Sequence, residues 1–107
     1  MATTENQNVD APKKGKLLVV DDEVAFLKIL KLIFSKHYEV QTAETGEAAL
    51  KILQDGFAAE VIISDQRMPG ISGAEFLEQS IAFVPDAARI ILTGYSSPKD
   101  ILPLGEE

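Results

Sequence analysis

Three short runs of apolar residues each break off at a side chain with oxygen chemistry. Leu17-Leu18-Val19-Val20 halts at Asp21-Asp22, Val61-Ile62-Ile63-Ser64 at Asp65, and Arg89-Ile90-Ile91-Leu92 at Thr93. The first two runs predict strands covered on both faces, as in a parallel sheet, and the third predicts a further strand. Between them the spacing turns helical: Val24, Leu27, Leu30, Ile33 and Phe34 recur every three to four residues, with Lys28, Lys31 and Lys36 among them. Asp22 stands where the N-cap of that helix belongs. The stretch 38–43 alternates more loosely and reads as an edge strand. A second helix is expected over Gly46 to Gln54, with Glu47 and Lys51 paired on its outer face, Leu50 and Leu53 inward, and Gly56 as its stop. Pro69-Gly70 supplies turn chemistry in the loop after Asp65, and Ser72 with Glu75 forms a capping-box pattern opening a third helix that Pro85 and Asp86 close. Ser97, Pro98 and Asp100 have the order of a further helix start, interrupted by Pro103 and Gly105.

This alternation predicts an α/β fold: a doubly wound parallel sheet with right-handed crossovers and helices on both faces. In such sheets ligands sit at the carboxyl ends of the strands, where the winding direction reverses. If the first and third strands are neighbours, Asp21, Asp22 and Asp65 converge in one pocket. Three close carboxylates repel one another and need a partner. A hard divalent cation supplies one, and magnesium favours one or two carboxylates together with waters and a phosphate. A carboxylate beside such a metal can also attack a phosphoryl group, and a hydroxyl such as Thr93 can hydrogen-bond a phosphoryl oxygen.

Composition removes other classes. The 107 residues suffice for one domain, and ten basic against seventeen acidic residues give a net charge of -7. That sign argues against nucleic-acid binding and against docking on anionic membranes. With no cysteine, neither a disulfide framework nor a thiolate metal site is available. Residues 1–14 are polar and have little to bury, so they are expected to form a disordered tail, with the domain over 15–107. Lys13, Lys14 and Lys16 read as a solubilising cluster and the single His37 as a solvated side chain. Without a signal peptide or an apolar span, the expected location is cytoplasmic.

The segments 17–23 (LLVVDDE), 61–73 (VIISDQRMPGISG) and 89–95 (RIILTGY) resemble the receiver domains of two-component response regulators, in the family's order and at its separations. The resemblance implies a flavodoxin-like sheet of order 2-1-3-4 here, with Asp65 as phosphoacceptor. It implies that Asp22 and Asp65 ligate Mg2+ directly, that Asp21 helps through water, and that the Arg67 backbone carbonyl is a further ligand. Thr93 is then the hydroxyl whose position reports phosphorylation. A sensor histidine kinase is the implied phosphodonor and an output domain or downstream protein the implied target. The domain is expected to act as a switch with self-directed phosphotransfer at most, and not as a turnover enzyme.

The family also carries a phosphoryl-contacting lysine on a fifth strand, covered by a last helix. Here Lys99 is the only lysine after Asp65 and stands too close to Thr93 for that role. The fifth strand and last helix are therefore expected to be missing, the chain being truncated after the fourth strand and the start of the fourth helix, either as a piece of a longer regulator or with its fourth strand covered in another way. Self-association, strand exchange and the chain's own residues 101–104 are the candidate covers. A non-phosphorylatable receiver-like interaction module is the alternative function. A magnesium-dependent phosphatase with an aspartate nucleophile fits less well, because that class separates its two acids by one residue, whereas Asp21 and Asp22 are adjacent. Flavin binding fits least, since the loop after the first strand is acidic.

Overall fold

The computed structural model describes residues 14–92. Within them, β1 (Gly15–Val20) leads to α1 (Val24–Phe34), β2 (Tyr38–Ala43), α2 (Gly46–Gln54), β3 (Val61–Asp65), α3 (Gly73–Ser80) and β4 (Ala88–Leu92). The strands pair in parallel in the order β2-β1-β3-β4. The chain winds outward from β1 to β2, then crosses back to β3 on the other side of β1. The reversal between β1 and β3 is the switch point of a doubly wound sheet.

β1 shows why its sequence is apolar throughout. Leu17 and Val19 point to one face and pack with Leu27 of α1 and Val40 of β2. Leu18 and Val20 point to the other, joining Ala49 and Leu53 of α2, Ile62 of β3, and Phe76 and Leu77 of α3. Each of the four is at most 2% exposed. At roughly 1.5–3 kcal/mol for each fully buried aliphatic side chain, this strand anchors the fold.

The two faces are covered unequally. α2 and α3 share one, whereas α1 alone lies on the other among the described residues. The apolar stripe of α1 is accordingly narrower than its spacing suggests. Leu27 is buried and Leu30 and Phe34 are half-buried, but Val24 and Ile33, expected to face inward, are 44% and 55% exposed.

Helix ends follow local chemistry. Glu23, and not Asp22, occupies the N-cap of α1, and its side chain makes no capping bond. Thr45 caps α2 by accepting from the Ala48 N–H at 3.0 Å. Lys51 pairs with Asp55 at 3.1 Å instead of with Glu47. At α3 the capping box is complete: the Ser72 hydroxyl accepts from the Glu75 N–H, and the Glu75 carboxylate accepts from the Ser72 N–H, both at 3.1 Å. α3 ends at Ser80, and turns bridge to β4. Arg89 reaches back from β4 to hold that bridge, donating to the Ser80 hydroxyl at 2.9 Å and to the Leu77, Val84 and Ala87 carbonyls.

β4 is the outermost described strand on its side, with Ile90 and Ile91 exposed. Lys14 donates to the Ser35 carbonyl at the end of α1, and Lys16 pairs with Glu39. His37 is exposed. The rest of the expected tail, Thr93, Lys99, the helix start at Ser97 and the segment 101–104 lie outside the described residues. Among the described residues, no helix is long and apolar enough to cross a membrane.

Candidate functional site

The site is assembled by strand register. Val20 stands opposite Ser64 in the β1–β3 ladder, so Asp21 and Asp65 leave the carboxyl ends of adjacent strands at the same height. The Asp21 N–H donates to the Ala43 carbonyl at 3.1 Å, extending the β1–β2 ladder by one step. Its side chain accepts from the Glu23 N–H at 2.8 Å. That bond turns the chain toward α1 by holding the N–H of its N-cap residue, but it does not take the place of the side-chain cap expected from Asp22.

Asp21, Asp22 and Asp65 each offer a carboxylate oxygen, and these oxygens lie within 4.8 Å of one another. Asp21 and Asp65 are buried, at 3% and 2% exposure, while Asp22 is exposed. The convergence predicted from the strand ends is thus present for all three acids. Burial is the main force lifting the Asp21 pKa above the usual carboxylate value. The Glu23 N–H opposes that rise, and the negative charges of Asp65, Asp22 and Glu23 add to it. Like charges gathered at a partly desolvated site are relieved by a cation among them. The donor set is all carboxylate, which suits a hard divalent ion and not a thiophilic one. The cluster could hold such an ion.

The segment after Asp65 folds back tightly. The Gly73 N–H donates to the Gln66 carbonyl at 3.0 Å, and the Ala74 N–H donates to the Gln66 side-chain oxygen at 2.9 Å. The Ser64 hydroxyl donates to the Asp65 carbonyl at 2.8 Å. A Cβ on Gly73 would lie 2.2 Å from that same Asp65 carbonyl oxygen, so only glycine permits this approach. Arg67 lies in this loop with an exposed side chain. Leu92 is the β4 partner of Asp65, and Thr93 falls one residue past the described chain. Gly73, Gln66 and Thr45 were not singled out from the sequence. Thr45 alone left a readable signal, a hydroxyl residue directly ahead of the helical spacing; Gly73 acts through backbone proximity, and Gln66 through a side chain that reaches across eight positions to Ala74.

Residues 17–104 match the family described as the response regulator receiver domain. Among known proteins, the chain is 38% identical over 89 residues to the hydrogenase transcriptional regulatory protein HoxA of Bradyrhizobium diazoefficiens, covering 83% of this chain and 18% of that protein. It is 36% identical over 89 residues to the transcriptional regulatory protein GlrR of Escherichia coli K12, covering 82% of this chain and 20% of that protein. It therefore spans about a fifth of the length of these relatives. The solved structure of the chemotaxis response regulator CheY4 of Vibrio cholerae superposes with a TM-score of 0.71 at 31% identity, covering 82% of this chain and 75% of that one. With the sheet order, the acids at the switch point and these matches in agreement, the chain belongs to the response regulator receiver domain family.

Proposed function

We propose that the domain accepts a phosphoryl group on Asp65, with Mg2+ held by Asp22 and Asp65, by Asp21 through water, and by the Arg67 backbone carbonyl. The observation that supports this most is the buried Asp65 carboxylate at the end of a central strand, within 4.8 Å of two further carboxylates. When bound, Mg2+ supplies positive charge that offsets the negative charge of an arriving phosphoryl group.

The remaining chemistry belongs to the chain. The donor is a phosphorylated histidine on a sensor kinase. An Asp65 oxygen attacks phosphorus as the P–N bond breaks; the bonding pair stays with the imidazole, which takes up a proton. Buried Asp21 keeps its neighbours oriented through the Glu23 N–H. Thr93 hydrogen-bonds a phosphoryl oxygen and follows it, and the added charge biases a surface toward an output domain or downstream protein. HoxA and GlrR are transcriptional regulatory proteins, which supports an output of that kind. The domain works as a switch in the cytoplasm and turns over no external substrate beyond its own phosphorylation and dephosphorylation.

Incubation with acetyl phosphate and Mg2+ tests this. The wild type gains one phosphate in mass, and Asp65→Asn gains none. No gain on the wild type overturns the reading and leaves a non-phosphorylatable interaction module.

A further inference from the structure

The loop after Asp65 is tied down at its base by its own neighbours and at its crest by another helix. At the base, both oxygens of Gln66 accept from the first N–H groups of α3. At the crest, the Ile71 N–H donates to the Oε2 carboxylate oxygen of Glu47, in the first turn of α2, at 3.3 Å. Gly70, at φ +83, sits against the same carboxylate: a Cβ there would lie 2.7 and 2.8 Å from its two oxygens. The Ile71 side chain packs over Gly46, where an added Cβ would meet Ile71 Cγ1 at 2.6 Å. The start of α2 therefore forms a seat for the crest, and Glu47 is its polar part.

α2 has other partners for its own needs. Thr45 caps it and Lys51 pairs with Asp55. Glu47 also suits the helix as an acid in its first turn, but its carboxylate is placed against the loop. Gly70, at positive φ, is the most freely moving residue of the crest, so an anchor from outside removes conformations that cation binding would otherwise have to suppress.

We propose that Glu47 is a positioning residue for the acid cluster, holding the crest of loop 66–72 so that the backbone beyond Asp65 is ordered before a divalent cation binds. This rests on the reading of Asp21, Asp22 and Asp65 as a cation site.

Calorimetric titration of the full chain with Mg2+ tests it on the wild type, Glu47→Ala and Glu47→Gln. Glu47→Ala weakens Mg2+ binding about three- to tenfold, the worth of one ordinary hydrogen bond at an exposed position. Glu47→Gln keeps an oxygen to accept the Ile71 N–H and stays within about twofold of the wild type, since the charge itself is screened by solvent. Wild-type binding with unchanged affinity in Glu47→Ala overturns the role of Glu47 alone. Equal weakening in both variants overturns it too, because the carboxylate would then act by its charge on the cation. Absence of saturable binding by the wild type overturns the cation site and this role with it. Should Glu47→Ala fail to fold, hydrogen exchange in the wild type decides: saturating Mg2+ slows exchange of the Ile71 N–H, and unchanged exchange contradicts the proposal.

Discussion

Val20 and Ser64 face each other across the β1–β3 ladder, and this pairing puts Asp21 beside Asp65. A shift of one residue in that register would exchange the faces of every β3 side chain. Ile62, buried against α2 and α3, and half-buried Ile63, packed on the α1 side, would trade surroundings. The same apolar packing that builds the core therefore sets the spacing of the acids.

A first prediction concerns Asp21. Its carboxyl holds a proton more tightly in the folded chain than in the unfolded one, chiefly because it is buried. Its contribution to stability is therefore most favourable at acid pH and is lost as the pH rises through the elevated pKa. Asp21→Asn keeps an oxygen for the Glu23 N–H and removes the charge. It should raise the thermal midpoint of the metal-free domain by a few degrees at neutral pH, with the gain shrinking toward acid pH. Thermal melts across that range check both halves.

A second follows from cation binding. Mg2+ at a hundredfold excess over its dissociation constant should stabilise the wild type by about 2.7 kcal/mol, and Asp22→Asn or Asp65→Asn should remove most of that gain. Urea melts with and without Mg2+ measure the difference.

Gly73 provides a third. Gly73→Ala forces a methyl group into the Asp65 carbonyl, and backbone has to move to admit it. The cost should be about 2 kcal/mol or more, with loss of phosphoryl acceptance by the remaining folded protein. Denaturant melts and the acetyl phosphate assay report the two effects separately.

Arg89 provides a fourth, at the opposite end of α3. Arg89→Met removes the guanidinium donor from the Ala87 carbonyl and the Ser80 hydroxyl, and leaves the Val84 carbonyl with the Ala87 N–H alone. It should cost about 2 kcal/mol of stability while leaving Mg2+ affinity within about twofold of the wild type. Urea melts and Mg2+ titration of the same variant check the pair of outcomes.

Much of this architecture is legible in the order of residues, and the parts that are not share a physical cause. The apolar block Leu17 to Val20, the acids that end it and the capping box of Ser72 and Glu75 all express local patterns, and each is found where those patterns put it. Val24 and Ile33 misled because periodicity locates an apolar stripe without saying how wide a covering the stripe receives. Glu47 misled because its spacing to Lys51 suggests a helical pair, while its actual partner is the Ile71 N–H on a different element. The need for glycine at position 73 arises from a backbone carbonyl eight positions back, which no side-chain pattern announces.

The central claim is that Asp21, Asp22 and Asp65 surround one divalent cation. Substoichiometric Mn2+, a paramagnetic stand-in for Mg2+, tests it directly in amide-resolved NMR spectra. The amide signals of Asp21, Asp22, Asp65 and Arg67 should broaden first and together, and excess Mg2+ should restore them. Broadening centred elsewhere, or none that Mg2+ reverses, would contradict the account.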